Sequence, residues 1–520
     1  MHPAHYFRLF ASFWIFVITV PLASGQNAAP QDIPNHDVKH DVSPALKDIP
    51  PPPAVAHAKV ERREHPVKKL PPPPSRKGPL APDSSLQKAA VRKLQATDAV
   101  VFDGIGNGKN NFAVSSDPPD TNVAVGTTQF VEWVNTSFAV FDKTSGKVLF
   151  GPATGATLWS GFGGNCENFN DGDPIVQYDK AANRWVMTQF AISGKPFSQC
   201  IAVSTTADAM GPYARYEYQF SDFNDYPKFG VWPDGYYASF NMFRGNTFLG
   251  AKACAFERAK MLTGDGAQMK CFDVPDFGGL LPSDLDGLTP PPSGSPNYFL
   301  NFGVDQLNTW KFHVDWNNEA NSTFSGPTAV NVSPFQAACD SCVPQPKSQE
   351  VLDTLSDRLM YRLSYRNFGD HEALFANHTI AVNKGIGIRW YELRNPQTTA
   401  TIEQQGTYAP DGVFRWMGSM ATDKMGNIVV GYSASSDKIF PSIRYTGRSS
   451  GDPSGTLAAE KVVREGKGSQ ETPSRWGDYS SVSLDPADDC NFWFTTQYLD
   501  DTGSFNWQTA VVRLHFNSCK

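Results

Sequence analysis

The sequence has little charge for its length, since only 19% of its 520 residues are Asp, Glu, Lys or Arg. It also lacks any long apolar run after residue 22, which argues against a membrane-spanning helix of ~20 residues. The residues that are plentiful are Gly (42), Pro (40), Phe (36) and Trp (12). This mixture favours short strands joined by tight turns over long helices.

Familiar catalytic signatures are missing too. The chain has no HExxH, no GxSxG, no Walker A motif and no GxGxxG on a strand–helix unit. The sialidase Asp-box, Ser-x-Asp-x-Gly-x-Thr-Trp, is also absent. The motifs therefore leave open whether the protein is an enzyme.

Charge is divided unevenly along the chain. Residues 26–97 hold 12 Lys and Arg against 7 Asp and Glu, a net charge of +5, whereas residues 98–520 hold 32 against 45, a net charge of −13. An acidic folded region argues against nucleic acid as a partner, because phosphates need neutralising cations. It is compatible with glycans, cations or proteins.

Residues 1–25 resemble a secretory signal peptide. Arg8 precedes an apolar run over residues 9–22, and the small residues Ala23 and Gly25 stand before Gln26. A membrane anchor is the alternative, but the run is too short for a span. We predict cleavage after Gly25 and a secreted or periplasmic protein without a membrane span.

Residues 26–97 form the next segment, with 14 of the 40 prolines and no aromatic residue. Such a segment buries too little apolar area to offset its ordering entropy. The composition predicts a disordered, Pro-rich, basic linker.

The eight cysteines indicate four disulfides, because an even count is typical of an exported chain. The predicted set pairs neighbours along the chain: Cys166–Cys200, Cys254–Cys271, Cys339–Cys342 and Cys490–Cys519. Cys339 and Cys342 also have the spacing of a redox motif. Their loop-like surroundings favour a structural pair.

Residues 98–520 contain a repeated unit of about sixty residues, a short strand, a turn of Asp, Asn, Gly or Pro, and a strand rich in aromatics. The turns fall near positions 126, 179, 234, 297, 383, 423 and 485. Sheets repeated in this way cover one another's faces in a β-propeller. We predict an all-β fold with seven blades; six or eight blades and a two-sheet sandwich are the alternatives.

A second repeat is a corner with a basic residue, a Gly and a polar residue. It reads Arg475-Trp476-Gly477-Asp478, Arg415-Trp416-Met417-Gly418 and, more weakly, Arg366-Asn367-Phe368-Gly369-Asp370. Such corners should converge at one end of the central channel. The predicted ligand-binding residues are Arg366, Asp370, Arg415, Trp416, Arg475, Trp476 and Asp478.

Polar residues expected just before the innermost strands form a ring at that channel mouth. They are Asp120, Asp173, Asp225, Asp286, Asp370, Ser419 and Asp478, with Lys228 and the three arginines as cations. A structural network of Arg–carboxylate pairs is one interpretation. In the other, the arginines face a ligand carboxylate such as that of an acidic sugar. Trp416 and Trp476 then either stack on a sugar face or belong to the interblade core.

Glycoside cleavage would require two carboxylates, for which Asp173, Asp225, Asp370 and Asp478 are candidates. His371 and Tyr479 could assist proton transfer or nucleophilic attack.

The stretch from Cys166 to Pro174 is rich in oxygen ligands, and Asp171 and Asp173 are its candidate metal ligands. Calcium prefers such donors on a bent loop. A turn of Asn, Asp and Gly without metal explains the same residues.

Three segments resemble motifs of a group of large secreted bacterial β-propeller proteins without assigned activity. They are Asp171-Gly-Asp-Pro-Ile-Val-Gln-Tyr-Asp179, Tyr226-Pro-Lys-Phe-Gly-Val-Trp-Pro-Asp-Gly-Tyr-Tyr237 and Arg475-Trp-Gly-Asp-Tyr-Ser-Ser481. The resemblance covers roughly residues 115–520. It implies a propeller of the broad sialidase-like kind and carries over no catalytic residues.

Together these features predict a secreted, monomeric β-propeller that binds a glycan or a cell-surface partner at its channel mouth, with no catalysis assumed. A glycoside hydrolase or polysaccharide lyase acting on an acidic sugar is the alternative. An interaction scaffold that uses the propeller rim is a third possibility.

Overall fold

The computed structural model describes Met1 and residues 35–49, 62–65, 68–71, 82–87, 92–97 and 99–520. Apart from Met1, all of them belong to the unit Ile33–Lys520. The predicted signal peptide otherwise lies outside the described residues. No helix of the described part is long and apolar enough for a membrane span.

The fold is all-β, as predicted, and five of its sheets are separate blades of four or five strands. Blade 1 contains Asn122–Val125, Gln129–Val134, Ser137–Asp142 and Val148–Thr154. Blade 2 contains Ile175–Asp179, Arg184–Ala191, Phe197–Ser204, Tyr213–Phe220 and the added edge strand Lys39–Val42. Blade 3 contains Phe223–Val231, Tyr236–Arg244, Thr247–Phe256 and Met269–Val274.

Blades 4 and 5 follow later in the chain. Blade 4 contains Phe414–Thr422, Ile428–Ser435, Ser442–Arg448 and Lys461–Arg464. Blade 5 contains Ser481–Leu484, Phe492–Tyr498, Gln508–Leu514 and Val100–Gly106. Because Val100–Gly106 pairs with the last strand of the chain, the two ends of the propeller meet in one sheet, and such closure removes exposed sheet edges.

Between blades 3 and 4 lies a nine-stranded sheet. Its strands are Leu281–Asp286, Asn297–Gly303, Gln306–His313, Thr323–Asn331, Met360–Asn367, Glu372–Val382, Gly385–Arg394, Thr401–Tyr408 and the added strand Leu86–Gln87. Leu281–Asp286 pairs antiparallel with Asn297–Gly303 at one end and parallel with Met360–Asn367 at the other.

The prediction of seven blades is therefore wrong, because the structure has five separate blades and one larger sheet. The physical reason is the parallel pairing of Ser283–Asp286 with Leu363–Arg366, which joins strands that the repeat assigned to different blades. Hydrophobic patterning reports strands and turns but not which strand edges pair.

The remaining elements are short. Two small sheets pair Arg63–Glu64 with Ser116–Asp117 and Ser341–Val343 with Leu352–Asp353. The α-helices are Gly164–Asn168 and Arg258–Thr263, and the 3-10 helices are Leu46–Asp48, Lys109–Asn111, Gly155–Trp159 and Glu319–Asn321.

The first strands of neighbouring sheets contact one another and line a central channel. Polar side chains connect these strands, because they accept hydrogen bonds from main-chain N–H groups of the next strand. Asn122 accepts from Val176 N at 3.0 Å, and Ser419 accepts from Val482 N at 2.9 Å. Since strand start lies beside strand start, the residues before these strands gather at one end of the channel, which we call the mouth.

All four predicted disulfides are present: Cys166–Cys200, Cys254–Cys271, Cys339–Cys342 and Cys490–Cys519. Each joins residues of one sheet or of an adjoining loop, as the pairing of neighbours requires.

The described pieces of residues 26–97 pair with the propeller, and the disordered linker expected for this segment stays a prediction. Lys39–Val42 extends blade 2, Leu46 and Leu94 are buried, and Leu86–Gln87 extends the nine-stranded sheet. Main-chain pairing to a sheet edge needs few apolar side chains, so composition does not reveal it. The rest of that segment lies outside the described residues.

Candidate functional site

Three corners that precede first strands, and the bulge at Tyr226 within Phe223–Val231, share an unusual backbone conformation. Asp120, Asp173, Tyr226 and Asp478 have φ values of 49°, 46°, 55° and 56°. This left-handed region is uncommon for residues other than glycine, although Asp is enriched there. Strain of this kind is characteristic of functional sites, and here it aims polar side chains into the mouth.

These corners bring charged side chains into mutual electrostatic contact. We call them the mouth cluster, which consists of Asp120, Asp173, Asp225, Lys228, Arg475 and Asp478. Each is at most 8% exposed. All six were predicted from sequence to lie at the mouth.

Lys228 is the fully buried cation of the cluster. Its Nζ lies 3.5 Å from the ring centroid of Tyr226 and 3.8 Å from that of Tyr479, and it donates to Pro227 O at 2.9 Å. The rings are held by their hydroxyls, which donate to the main-chain oxygens of Asp478 and Pro174. The two aromatic faces thus replace part of the hydration shell of the Lys228 ammonium group.

Arg475 is the second cation and joins three elements. Its Nε donates to Asp353 Oδ2 at 2.9 Å, and its other nitrogens donate to Asp478 and to the main-chain oxygen of His65. Asp353 also accepts the Trp476 N–H at 2.7 Å. The corner is therefore fixed by an Arg–carboxylate pair, as one of the two sequence interpretations proposed.

Several buried carboxylate oxygens at the mouth have no hydrogen-bond partner among the described residues. They are both oxygens of Asp117, Oδ1 of Asp120 and Oδ2 of Asp225. Buried polar atoms are nearly always paired. Burial of these four oxygens without a partner therefore costs stability.

Burial shifts the titration of these groups toward neutral pH. It raises the pKa of Asp173 to about 6 and that of Asp353 to about 7. Burial and the nearby Asp173 raise the pKa of Asp225 to about 8. Burial also lowers the pKa of Lys228 to about 7, against the pull of the acids. Groups that titrate near pH 7 are suited to proton transfer.

A cavity of about 580 Å³ adjoins the mouth cluster. Its wall includes Arg475, Asp353, Asp340, Ser341 and Lys69. This volume is typical of small-molecule sites. Arg475 and Asp353 therefore line this cavity at the edge of the mouth cluster.

Several predicted mouth residues lie elsewhere. Arg366 stands near the end, not the start, of Met360–Asn367 and pairs with Asp489. Asp286 ends its first strand in the same way, and Asp370 is an exposed loop residue bound to His371 at 2.7 Å. The weak third repeat, at Arg366–Asp370, follows the end of a strand and does not precede its start. The prediction that three arginines face one ligand is therefore wrong.

Arg415, Trp416 and Trp476 are buried structural residues. Arg415 pairs with Asp411 and with Glu460, both at 2.8 Å. Trp416 and Trp476 are 0% exposed, with ring centroids 5.8 Å apart. Neither ring offers a face to a sugar, so the stacking platform is wrong and the alternative, interblade core, describes both residues. Ser419 likewise belongs to the strand-to-strand hydrogen bonds.

The proposed calcium loop is held by hydrogen bonds. Asp171 accepts from Ile192 N at 2.6 Å, Ser193 N at 2.8 Å and Ser193 Oγ at 2.6 Å. No group of three or more His, Cys, Asp or Glu suited to a metal occurs in the part of the chain that the structure describes. Calcium at Asp171 and Asp173 stays a prediction.

Sequence reasoning missed four residues at the mouth: Asp117, Asp353, Arg358 and His65. Asp353 and Arg358 come from the long stretch between two repeats, and His65 comes from the supposed linker. Asp117 stands three residues before Asp120, in Asp117-Pro-Pro-Asp120, and this doubling of acids was the one available signal.

The sequence matches no protein-family model and no curated protein. Similar solved structures include a protein of unknown function from Dyadobacter fermentans, with 10% identity and a TM-score of 0.39 over 82% of this chain and 100% of that one. An α-L-arabinofuranosidase from Fusarium graminearum has 8% identity and a TM-score of 0.38 over 82% and 99%. An ulvan lyase has 9% identity and a TM-score of 0.37 over 79% and 97%. At these values, function has to be argued from the residues of this chain.

Proposed function

We propose that the channel mouth binds a glycan. The observation that carries the proposal is the cavity of about 580 Å³ beside Arg475 and Asp353. Its wall combines carboxylates and hydroxyls with apolar patches from Ala337, Ala338 and Leu355. Sugar hydroxyls both donate and accept hydrogen bonds while sugar C–H faces are apolar, so this mixture matches them.

The four disulfides support export of this binding protein, because disulfides persist in oxidising compartments outside the cytosol. A secreted or periplasmic location would place the mouth where extracellular glycans occur. The proposal includes no preference for acidic sugars, since Arg475 is the only one of the three predicted arginines at the mouth and its donors already have partners.

A polysaccharide panel with neutral and acidic members tests the proposal. Ser341→Trp would fill the cavity from its exposed edge, and Ser325→Trp on an exposed outer strand is the matched control. We expect at least one polysaccharide to bind the wild type and the control, with at least tenfold weaker binding to Ser341→Trp. Binding that is equal in all three proteins would place the glycan elsewhere, and an absence of binding to every member would refute the proposal.

Catalysis at the same mouth is the second candidate, as a glycoside hydrolase or a polysaccharide lyase. It is favoured by the titration of Asp173, Asp353, Asp225 and Lys228 near neutral pH within one cluster. A protonated carboxyl such as Asp225 and an ionised neighbour are the pair that glycoside hydrolysis requires.

New reducing ends or unsaturated products after incubation with a bound polysaccharide would demonstrate this activity. Asp225→Asn should then lower kcat by about 10²–10⁴-fold while the protein remains folded. Binding without product formation would leave the glycan-binding proposal intact and exclude the catalytic one for that polysaccharide.

A further inference from the structure

Two pieces of the N-terminal segment, residues 62–65 and 68–71, lie across the mouth, and we call them the strap. Arg63–Glu64 pairs in parallel with Ser116–Asp117. Arg63 N donates to Ser115 O and His65 N donates to Asp117 O, both at 2.8 Å. The strap thus reaches the mouth as an added strand, the way extended peptides bind at sheet edges.

The strap has one anchor in the mouth cluster and a second anchor beside it. Arg475 donates to the main-chain oxygen of His65. The main-chain N–H of Leu70 binds the carboxylate of Asp357, which pairs with Arg358 at 2.7 Å. The Arg358 guanidinium lies 4.3 Å from the ring centroid of Tyr226. The strap therefore accepts a hydrogen bond at His65 and donates one at Leu70.

The side chain of Leu70 fills a space beside Gly278, which we call its seat. It is 8% exposed, and a Cβ on Gly278 would lie 2.9 Å from its Cδ2, so glycine leaves the space that the leucine fills. Leu70 and Asp357 also line both the cavity of about 580 Å³ and a second cavity of about 570 Å³. The leucine therefore stands between two cavities.

We propose that the strap is an intramolecular ligand of the mouth and that an external glycan chain must displace it to reach the mouth cluster. This rests on the glycan-binding function proposed above. The His65 carbonyl occupies the place of a ligand oxygen that accepts from Arg475, and the Leu70 N–H occupies the place of a hydroxyl that donates to Asp357. Displacement of Leu70 joins the two cavities into one groove, which fits an extended chain better than a single sugar.

A labelled peptide of residues 62–71, Arg-Arg-Glu-His-Pro-Val-Lys-Lys-Leu-Pro, tests the strap without any glycan. In the wild type the tethered copy has a high effective concentration and should keep the peptide out. Leu70→Asp weakens the tethered copy and should raise peptide affinity at least tenfold. Leu70→Asp combined with Gly278→Val, which fills the seat, should abolish this gain. Leu288→Asp alters an exposed leucine and is the control that should behave as the wild type.

Equal peptide binding to the wild type, Leu70→Asp and the double variant, or no binding to any of them, would overturn the strap proposal. A second arm adds arabinan, xylan and alginate to the wild type and Leu70→Asp. Tighter polysaccharide binding to Leu70→Asp, reversed by the peptide, supports displacement. If the peptide result holds but none of the three polysaccharides binds either protein, the glycan function fails while the strap remains an intramolecular ligand.

Discussion

The two ends of the central channel are built from the same residue types and behave in opposite ways. At the mouth, Asp120 is 1% exposed, and burial raises its pKa well above the usual range. At the other end, Asp286 is also 1% exposed, but its pKa is lowered because Arg362 and Lys180 outweigh the effect of burial. The two pKa values therefore differ because of the neighbouring charges and not because of the depth of burial.

The far end is a closed network of ion pairs. Arg362 binds Asp284 at 2.7 Å and Asp286 at 2.6 Å, and Lys180 binds Asp286 at 2.9 Å. Ser364 donates to the remaining oxygen of Asp286 at 2.5 Å. Fully paired charges have an architectural explanation, whereas the buried oxygens of Asp117, Asp120 and Asp225 that lack a partner among the described residues favour the function proposed for the mouth.

The largest effect should follow from breaking the paired end. Arg362→Met leaves Asp284 and Asp286 without their main cation, and removal of one partner from a buried network costs about 3–5 kcal/mol. Thermal and urea unfolding measure the loss. Arg244→Met removes a surface arginine paired with Asp222 and should leave the transition nearly unchanged. A wild-type transition in Arg362→Met would contradict the architectural role of this end.

An Asp→Asn substitution should lower the free energy of unfolding at the far end and raise it at the mouth. Asp286→Asn weakens charged hydrogen bonds and should destabilise the protein by about 2 kcal/mol. Asp225→Asn removes a carboxyl whose ionisation burial disfavours, so it should stabilise the protein at pH 8 by at least about 1 kcal/mol, the equivalent of one pKa unit. Urea unfolding of both variants gives the comparison. Destabilisation of similar size in both would mean that the ends do not differ.

The stabilisation by Asp225→Asn should depend on pH. The pKa of Asp225 is raised from 3.8 to about 8 in the folded state, so the wild type gains stability relative to the variant as the pH falls through this window. The difference in unfolding free energy should therefore be largest near pH 8 and disappear near pH 4. A difference that is constant across this range would show that Asp225 is ionised in the fold.

A smaller effect is expected at the strap. Burial lowers the pKa of His65 from 6.5, opposed by Asp171 and Asp478 and reinforced by Arg475 and Arg63. Protonation then disfavours the docked state, so docking should weaken as the pH falls below 6.5. Binding of the labelled peptide to Leu70→Asp should weaken a few-fold between pH 7.5 and 5.5. A peptide with Gln in place of His65 is the control and should show a smaller change; equal changes in the two peptides would contradict the role of His65.

The sequence predicted the all-β propeller and the disulfides because both leave local signals. Alternation of strands and turns marks the repeat, and cysteines that are close in the chain meet within one repeat. The pairing of Leu281–Asp286 with Met360–Asn367 was missed because it joins edges about eighty residues apart with no signal in either strand. The docking of Arg63–Glu64 was missed for the same reason, since it depends on main-chain groups.

The mouth cluster was predictable where a turn residue lies two or three positions before a first strand, as at Asp173 and Asp478. The prediction was wrong where the sequence does not distinguish the start of a strand from its end, as at Arg366 and Asp286. No pattern predicts that Asp353 and His65 come from distant segments to meet Arg475. Long-range placement of this kind is set by tertiary packing and not by local spacing.

Infrared spectroscopy of the wild type at pH 7 tests the central contrast most directly, because a protonated carboxyl has a carbonyl stretching band that a carboxylate lacks. We predict that this band is present in the wild type, is reduced in Asp225→Asn, and is unchanged in Asp286→Asn. The absence of any protonated carboxyl at pH 7, or loss of the band in Asp286→Asn instead, would contradict the account.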